Sequence, residues 1–61
     1  MPVVIVEMWK GRTPAQCKQL VEGITSSFVK IGTKPEAVQI ILKENEKSHW
    51  AMGGKLCSEQ K

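Results

Sequence analysis

The sequence is short of the residues that usually reinforce a small protein. Its 61 residues include only two cysteines, Cys17 and Cys57, and one histidine, His49. These three residues lack the close ligand pairs that zinc sites use, so no metal centre is expected. The first residues, "MPVVIVEMWKGR", show no basic segment followed by an apolar run and a cleavage site. We therefore expect a cytoplasmic protein whose thiols are reduced.

Arginine and aromatic side chains are also scarce. Arg12 is the only arginine in a chain that is otherwise rich in lysine, and tyrosine is absent. The net charge of +3 is spread along the sequence, without a basic cluster or interleaved aromatic residues. This distribution argues against nucleic-acid binding and leaves room for a small anionic ligand. Apolar runs are too short to cross a membrane, and no internal repeat is present.

What the sequence does contain is a strand–helix–strand pattern. Residues 3–8 ("VVIVEM") and 38–44 ("VQIILKE") are rich in β-branched side chains and predict two strands. Residues 49–56 ("HWAMGGKL") predict a short C-terminal hairpin around Gly53 and Gly54. We predict an α/β (α+β) fold in a single domain of residues 1–61. It consists of a βαβ unit with parallel strands and a right-handed crossover, followed by the hairpin.

The helix between the two strands has clear start and stop signals. Thr13 is a suitable N-cap, Pro14 fits the first helical position, and Gln16 completes a capping box. Gly32 is placed to end the helix. A single apolar stripe recurs at helical spacing and comprises Cys17, Leu20, Val21, Ile24, Phe28 and Ile31.

One helix can cover only one face of a two-stranded sheet. In the first strand Val4, Val6 and Met8 lie on one face, and Val3 and Ile5 lie on the other. A chain of this length buries only about 60% of the surface that its unfolded form exposes, so a lone monomer is marginal. The uncovered face therefore predicts assembly with further copies of the chain.

Pro2 has two interpretations. Proline lacks a backbone N–H, and the first residue of a strand tolerates this loss. If Met1 is removed, however, Pro2 carries a free secondary amine. An α-amine titrates near neutral pH, and an apolar pocket or a nearby cation lowers its pKa further. Pro2 could then act as a general base at pH 7.

Pro2, the pair Gly11–Arg12, the βαβ order and the run "HWAMGG" together resemble the 4-oxalocrotonate tautomerase family of the tautomerase superfamily. The resemblance spans nearly the whole chain. It implies a catalytic N-terminal proline and a hexamer built as a trimer of dimers, with sites shared between subunits. No cofactor and no metal are implied.

The resemblance also assigns roles to individual residues. Arg12 matches the arginine that binds a substrate carboxylate, and Trp50 matches the aromatic residue that forms an apolar wall of the site. Trp9 stands where a backbone N–H can approach substrate. The best-known members carry a second arginine eleven residues before the aromatic residue, whereas that position is Gln39 in this chain. Gln39 can donate a hydrogen bond but brings no charge, which puts the usual dicarboxylate substrate in question.

The predicted function is that of a tautomerase that converts the enol and keto forms of an unsaturated 2-oxo acid, similar to 2-hydroxymuconate. A homohexamer is expected, and Pro2, Arg12 and Trp50 are its predicted catalytic residues. In one alternative the chain is a subunit of a heterohexameric tautomerase, whose partner subunit supplies the missing arginine. In another it is a non-enzymatic, oligomeric binding module for an acidic partner, and Pro2 only opens a strand.

Overall fold

The predicted βαβ unit is present in a computed structural model, which describes residues 1–59. Strand β1 (Val3–Trp9) leads into helix α1 (Pro14–Lys30), and strand β2 (Gln39–Asn45) returns parallel to β1. In the register of the two strands Val3 lies opposite Gln39 and Ile5 lies opposite Ile41. The first strand extends one residue beyond its predicted end, and the second is shifted by one residue.

The predicted C-terminal hairpin is also confirmed. Strands β3 (Ala51–Met52) and β4 (Lys55–Leu56) pair antiparallel and form a sheet separate from that of β1 and β2. Gly53 and Gly54 connect them with φ angles of 60° and 80°, which glycine adopts without a steric penalty. A 3₁₀ turn precedes β2 at Pro35–Ala37, a second precedes β3 at Lys47–His49, and a third follows β4 at Cys57–Glu59.

Helix α1 begins and ends as its sequence predicts. The Gln16 backbone N–H donates to Thr13 Oγ1 at 3.1 Å, and the Thr13 N–H donates to Gln16 Oε1 at 3.0 Å, which is a complete capping box. At the other end Gly32 has a φ of 101°. Backbone N–H groups of Gly32 and Thr33 donate to carbonyls of the last turn, as in a Schellman motif.

The core of the single chain is small. Only Met8, at 8% exposure, and Cys57, at 4%, are buried among the apolar residues of the described chain. The burial of Cys57 has no counterpart in the periodicity of the sequence; it follows from the 3₁₀ turn after β4, where the Cys57 N–H donates to the Trp50 carbonyl at 2.7 Å. The helical stripe is half-buried from Cys17 to Phe28, whereas Ile31 is 77% exposed because it lies beyond the last helical residue.

The sheet face that α1 leaves open is apolar and exposed. Val3, Ile5 and Ile41 retain 53%, 56% and 46% of their accessible surface, and we call these three residues the outer strip. Because one helix and two strands form a thin layer, the Cα atoms extend over 43 × 23 × 14 Å. An unprotected apolar strip of this kind supports the expectation that another copy covers it. Within residues 1–59, α1 is the longest helix and is neither long nor apolar enough to cross a bilayer.

Candidate active site

The predicted site residues occupy two opposite ends of the parallel strand pair. At the first end, which we call the proline end, the Gln39 backbone N–H donates to the Pro2 carbonyl at 3.0 Å. Pro2 is half-buried there, immediately before β1. Met1 is 87% exposed, and its sulfur lies 3.3 Å from Gln39 Nε2. The amide of Gln39 thus lies beside the residue that carries the predicted base.

At the other end, which we call the arginine end, backbone and side-chain hydrogen bonds fix the loop after β1. The Lys10 N–H donates to the Asn45 carbonyl at 2.9 Å, and the Gly11 N–H donates to Glu44 Oε2 at 3.1 Å. Gly11 adopts a φ of 125°, a conformation that other L-residues rarely adopt. Arg12 then turns back, and its Nη1 donates to the Trp9 carbonyl at 3.2 Å. The loop that carries Arg12 is therefore held by β2, and the guanidinium itself contacts β1.

Two tryptophans pack against each other at the arginine end. The rings of Trp9 and Trp50 have centroids 6.0 Å apart and an interplanar angle of 77°, which is an edge-to-face arrangement. Lys47 Nζ lies 4.7 Å from the centroid of the Trp9 ring, within the range of a cation–π interaction. The indole N–H of Trp9 is buried and has no acceptor among residues 1–59. Trp9 also lines the neighbouring cleft, whereas Trp50 contacts Trp9 and is not among the lining residues.

A cleft of about 490 Å³ opens at the arginine end. Both strands' loops and the first turns of α1 contribute to its lining, which comprises Trp9, Lys10, Gly11, Arg12, Gln16, Leu20 and Lys47. Lys10 forms an ion pair with Glu46 at 3.2 Å. The cleft therefore combines apolar surface with positive charge, a combination that suits an organic anion.

The family model described as "Tautomerase enzyme" matches residues 2–60 of this sequence. The chain belongs to the tautomerase family. A probable tautomerase of Halalkalibacterium halodurans is 36% identical over 61 residues, covering 98% of this chain and all of the relative. The 2-hydroxymuconate tautomerase of Bacillus subtilis is 37% identical over 60 residues, covering 97% of each chain.

A solved structure supports the same fold. The crystal structure of YwhB, described as a homologue of 4-oxalocrotonate tautomerase, superposes with a TM-score of 0.93 at 34% identity. The match covers 98% of this chain and all of that chain. The resemblance to the 4-oxalocrotonate tautomerase family is confirmed, and tautomerase relatives support an isomerase-type activity.

A single chain of this tautomerase fold does not bring all the predicted site residues together. Trp9, Arg12 and Trp50 lie at the arginine end, whereas Pro2 and Gln39 lie at the proline end. The seven residues of β1 separate the two ends by about 23 Å at the usual rise of an extended strand. A site that uses both ends must therefore draw them from different copies, which is the arrangement that the family resemblance implies.

Lys47 and Glu44 belong to the arginine end but were not among the predicted site residues. The predicted parallel pairing of the two strands contained a signal for both residues, because parallel strands bring their carboxyl ends to the same edge of a sheet. The residues that follow β2 therefore lie beside the loop that follows β1. Sequence spacing alone does not give the register that decides which of them reach the cleft.

Neither cysteine contributes to this cleft. Cys17 and Cys57 are both free thiols, and Cys57 is buried under the C-terminal turn. Within residues 1–59, no group of three or more His, Cys, Asp or Glu side chains is arranged to hold a metal ion.

Proposed function

We propose that this chain is a tautomerase that interconverts the enol and keto forms of an unsaturated 2-oxo acid of the 2-hydroxymuconate type. The Pro2 amine acts as the general base after Met1 is removed. The active assembly is a homohexamer, a trimer of dimers, in which the proline end of one copy meets the arginine end of another.

The observation that carries this proposal is the arrangement at the proline end. Gln39 holds the Pro2 carbonyl by a backbone hydrogen bond of 3.0 Å, which fixes the position of the N-terminal ring. While Met1 is attached, the Pro2 nitrogen is an amide and has no basic lone pair. Met1 is 87% exposed and therefore accessible to an aminopeptidase. Its removal creates the amine and frees the Gln39 side-chain amide from the methionine sulfur in one step.

The reaction requires one group that accepts and returns a proton. The neutral Pro2 amine takes the proton of the enol hydroxyl, and the resulting ammonium delivers a proton to a carbon of the conjugated chain. The hydroxyl oxygen becomes the ketone, and the amine is neutral again. A positioned base of this kind contributes about 10²- to 10⁴-fold to a rate. The Gln39 amide can donate to the 2-oxo oxygen, although it lacks the charge of an arginine.

The other copy supplies the binding surface for the substrate. The planar fork of Arg12 suits a carboxylate in two-point contact. Trp50 gives an apolar wall, which disfavours the charged form of an amine beside it. The outer strip of Val3, Ile5 and Ile41 supports the association that such a shared site needs. The name of one relative, the 2-hydroxymuconate tautomerase of Bacillus subtilis, supports a substrate of this class.

The test is the ultraviolet time course of 2-hydroxymuconate ketonisation, on protein whose intact mass shows that it starts at Pro2. Two comparison proteins are needed, Pro2→Ala and a form with one extra residue that keeps the Pro2 nitrogen as an amide. Circular dichroism and light scattering establish that both retain fold and assembly. We expect turnover to fall by about 10²-fold or more in the extended form.

Equal turnover in the three proteins contradicts the proline-base mechanism. Absence of turnover in the Pro2 form as well contradicts 2-hydroxymuconate as substrate, and monocarboxylate enols such as phenylenolpyruvate are then tested. If these fail too, restoration of activity by a second tautomerase chain distinguishes the heterohexamer from a binding module.

A further inference from the structure

The cations at the cleft are not equivalent. The Lys10 ammonium is neutralised by Glu46 at 3.2 Å. Lys47 and Arg12 have no carboxylate within 4.0 Å in the described part of the chain, and both line the cleft. The nearby Glu44 carboxylate accepts the backbone N–H of Gly11 and is thus engaged in holding the loop. Two uncompensated positive charges therefore remain at one cleft.

The ammonium of Lys47 also has a defined place. Its Nζ lies 4.7 Å from the centre of the Trp9 ring, and the 3₁₀ turn Lys47–His49 anchors its backbone. Arg12 is tied to the same residue, because its Nη1 donates to the Trp9 carbonyl. Trp9 thus positions both cations, one through its ring and one through its backbone. Both residues line the same cleft, and an arginine fork and a compact ammonium are each suitable partners for a carboxylate oxygen.

We propose that Lys47 is a specificity residue which, with Arg12, forms a two-cation clamp for a carboxylate group of the ligand. The clamp gives this chain a second positive contact at the arginine end, whereas Gln39 at the proline end is neutral. Its role in turnover rests on the proposed function, but its role in binding does not. The ligand class is an organic acid with a carboxylate remote from the reacting atoms.

The test uses two readouts on the assembled protein that starts at Pro2. The first is kcat and KM for 2-hydroxymuconate. The second is the dissociation constant for adipate, an unreactive dicarboxylate with six carbons, from calorimetric titration. The variants are Lys47→Gln and Lys47→Arg. Lys30→Gln is the matched control, because it removes the same charge from the last turn of α1, far from the cleft.

For Lys47→Gln we expect KM and the adipate dissociation constant to rise about fivefold, the upper range for an exposed ion pair, with kcat unchanged. Lys47→Arg should retain most of the affinity, and Lys30→Gln should behave as the unaltered protein. Raising the salt concentration should weaken adipate binding less in Lys47→Gln than in the unaltered protein.

The two proposals fail separately in this design. If ketonisation is absent but adipate binding still depends on Lys47, the proposed reaction is wrong and the clamp stands. If Lys47→Gln binds adipate as tightly as the unaltered protein, the clamp is wrong even when turnover is rapid. A protein that does not bind adipate at all also overturns the clamp, as does an equal loss in Lys30→Gln, which indicates only a general charge effect.

Discussion

At the start of β1 and β2 the described contacts are one backbone hydrogen bond from Gln39 to Pro2 and one weak side-chain contact to Met1. At the end of the same strands Trp9, Lys10, Arg12 and Lys47 line a single cleft, Trp50 packs against Trp9, and the Glu44 carboxylate holds the Gly11 N–H. The proline end thus has few described contacts, and one of them holds Pro2 in place. The arginine end is a cleft lined by apolar and cationic side chains.

The difference between the two ends gives a chain of 61 residues a reason to assemble under the proposed function. Under the proposed function each copy carries both halves of a site but holds them about 23 Å apart along the seven residues of β1, so the halves meet only through assembly. The outer strip supports the proposed assembly, because its apolar side chains have no cover within the described chain.

The largest effect is expected from Ile5→Lys in the outer strip, which should prevent copies from associating and so keep the proline end of one copy away from the arginine end of another. Ile5 is 56% exposed in the single chain and lies opposite Ile41. An ammonium there must be buried when copies associate, which is costly for an unpaired charge. We expect light scattering to show a smaller species and the ketonisation assay to show near-background turnover.

The matched control for that change is Ile31→Lys. Ile31 is an exposed apolar residue too, but it follows the last residue of α1 and lies outside the sheet. The Ile31→Lys substitution should leave the mass of the assembly and the rate of turnover unaltered. An Ile5→Lys protein with the same mass and activity as the original contradicts the shared site.

The next largest effect is expected at the arginine end, from Arg12→Ala. A hydrogen bond to a charged group contributes about 1.5–3 kcal/mol, so kcat/KM should fall about 10- to 100-fold. The kcat/KM of Arg12→Lys should lie between those of Arg12→Ala and the unaltered protein, because lysine keeps the charge and loses the planar fork of arginine. Steady-state kinetics measure the change, and equal values for all three proteins show that Arg12 does not bind the substrate.

A smaller effect should follow from loosening the loop that carries Arg12. Glu44→Ala removes the acceptor of the Gly11 N–H and should raise KM about threefold, with stability lowered by about 1 kcal/mol. Glu46→Ala removes only an ion pair whose side chains are 67% and 57% exposed, and should change KM less. Kinetics and urea unfolding of the two variants measure the difference. Equal effects indicate that the Gly11 contact does not position Arg12.

The smallest effect on the site is expected from the helix cap. Thr13→Ala removes the hydroxyl that accepts the Gln16 N–H and should lower the free energy of unfolding by about 1 kcal/mol per chain. Thr13→Ser retains the hydroxyl and should restore most of the loss. Both variants should leave the proline end unaffected. A change in kcat for Thr13→Ala would therefore indicate that α1 also influences the position of the Pro2 amine.

Much of the fold could be predicted because its signals are local. The capping box of Thr13 and Gln16, the stop at Gly32 and the turn at Gly53 and Gly54 are each defined within a few residues. Period-two alternation separated the covered face of β1 from the outer strip. The burial of Cys57 could not be predicted in this way, since it depends on how the last turn folds back against the rest of the chain.

The sequence by itself determined the βαβ order, the exposed apolar face and the chemistry available to Pro2 and Arg12, because these depend on residue type and short-range spacing. Only the tertiary structure decided which side chains share an end. The parallel register brings Glu44 and Lys47 to the loop of Arg12 and leaves Pro2 beside Gln39. Register between strands 36 residues apart is a long-range property, and the extended geometry of β1 keeps Pro2 and Arg12 at opposite ends of the strand within one chain.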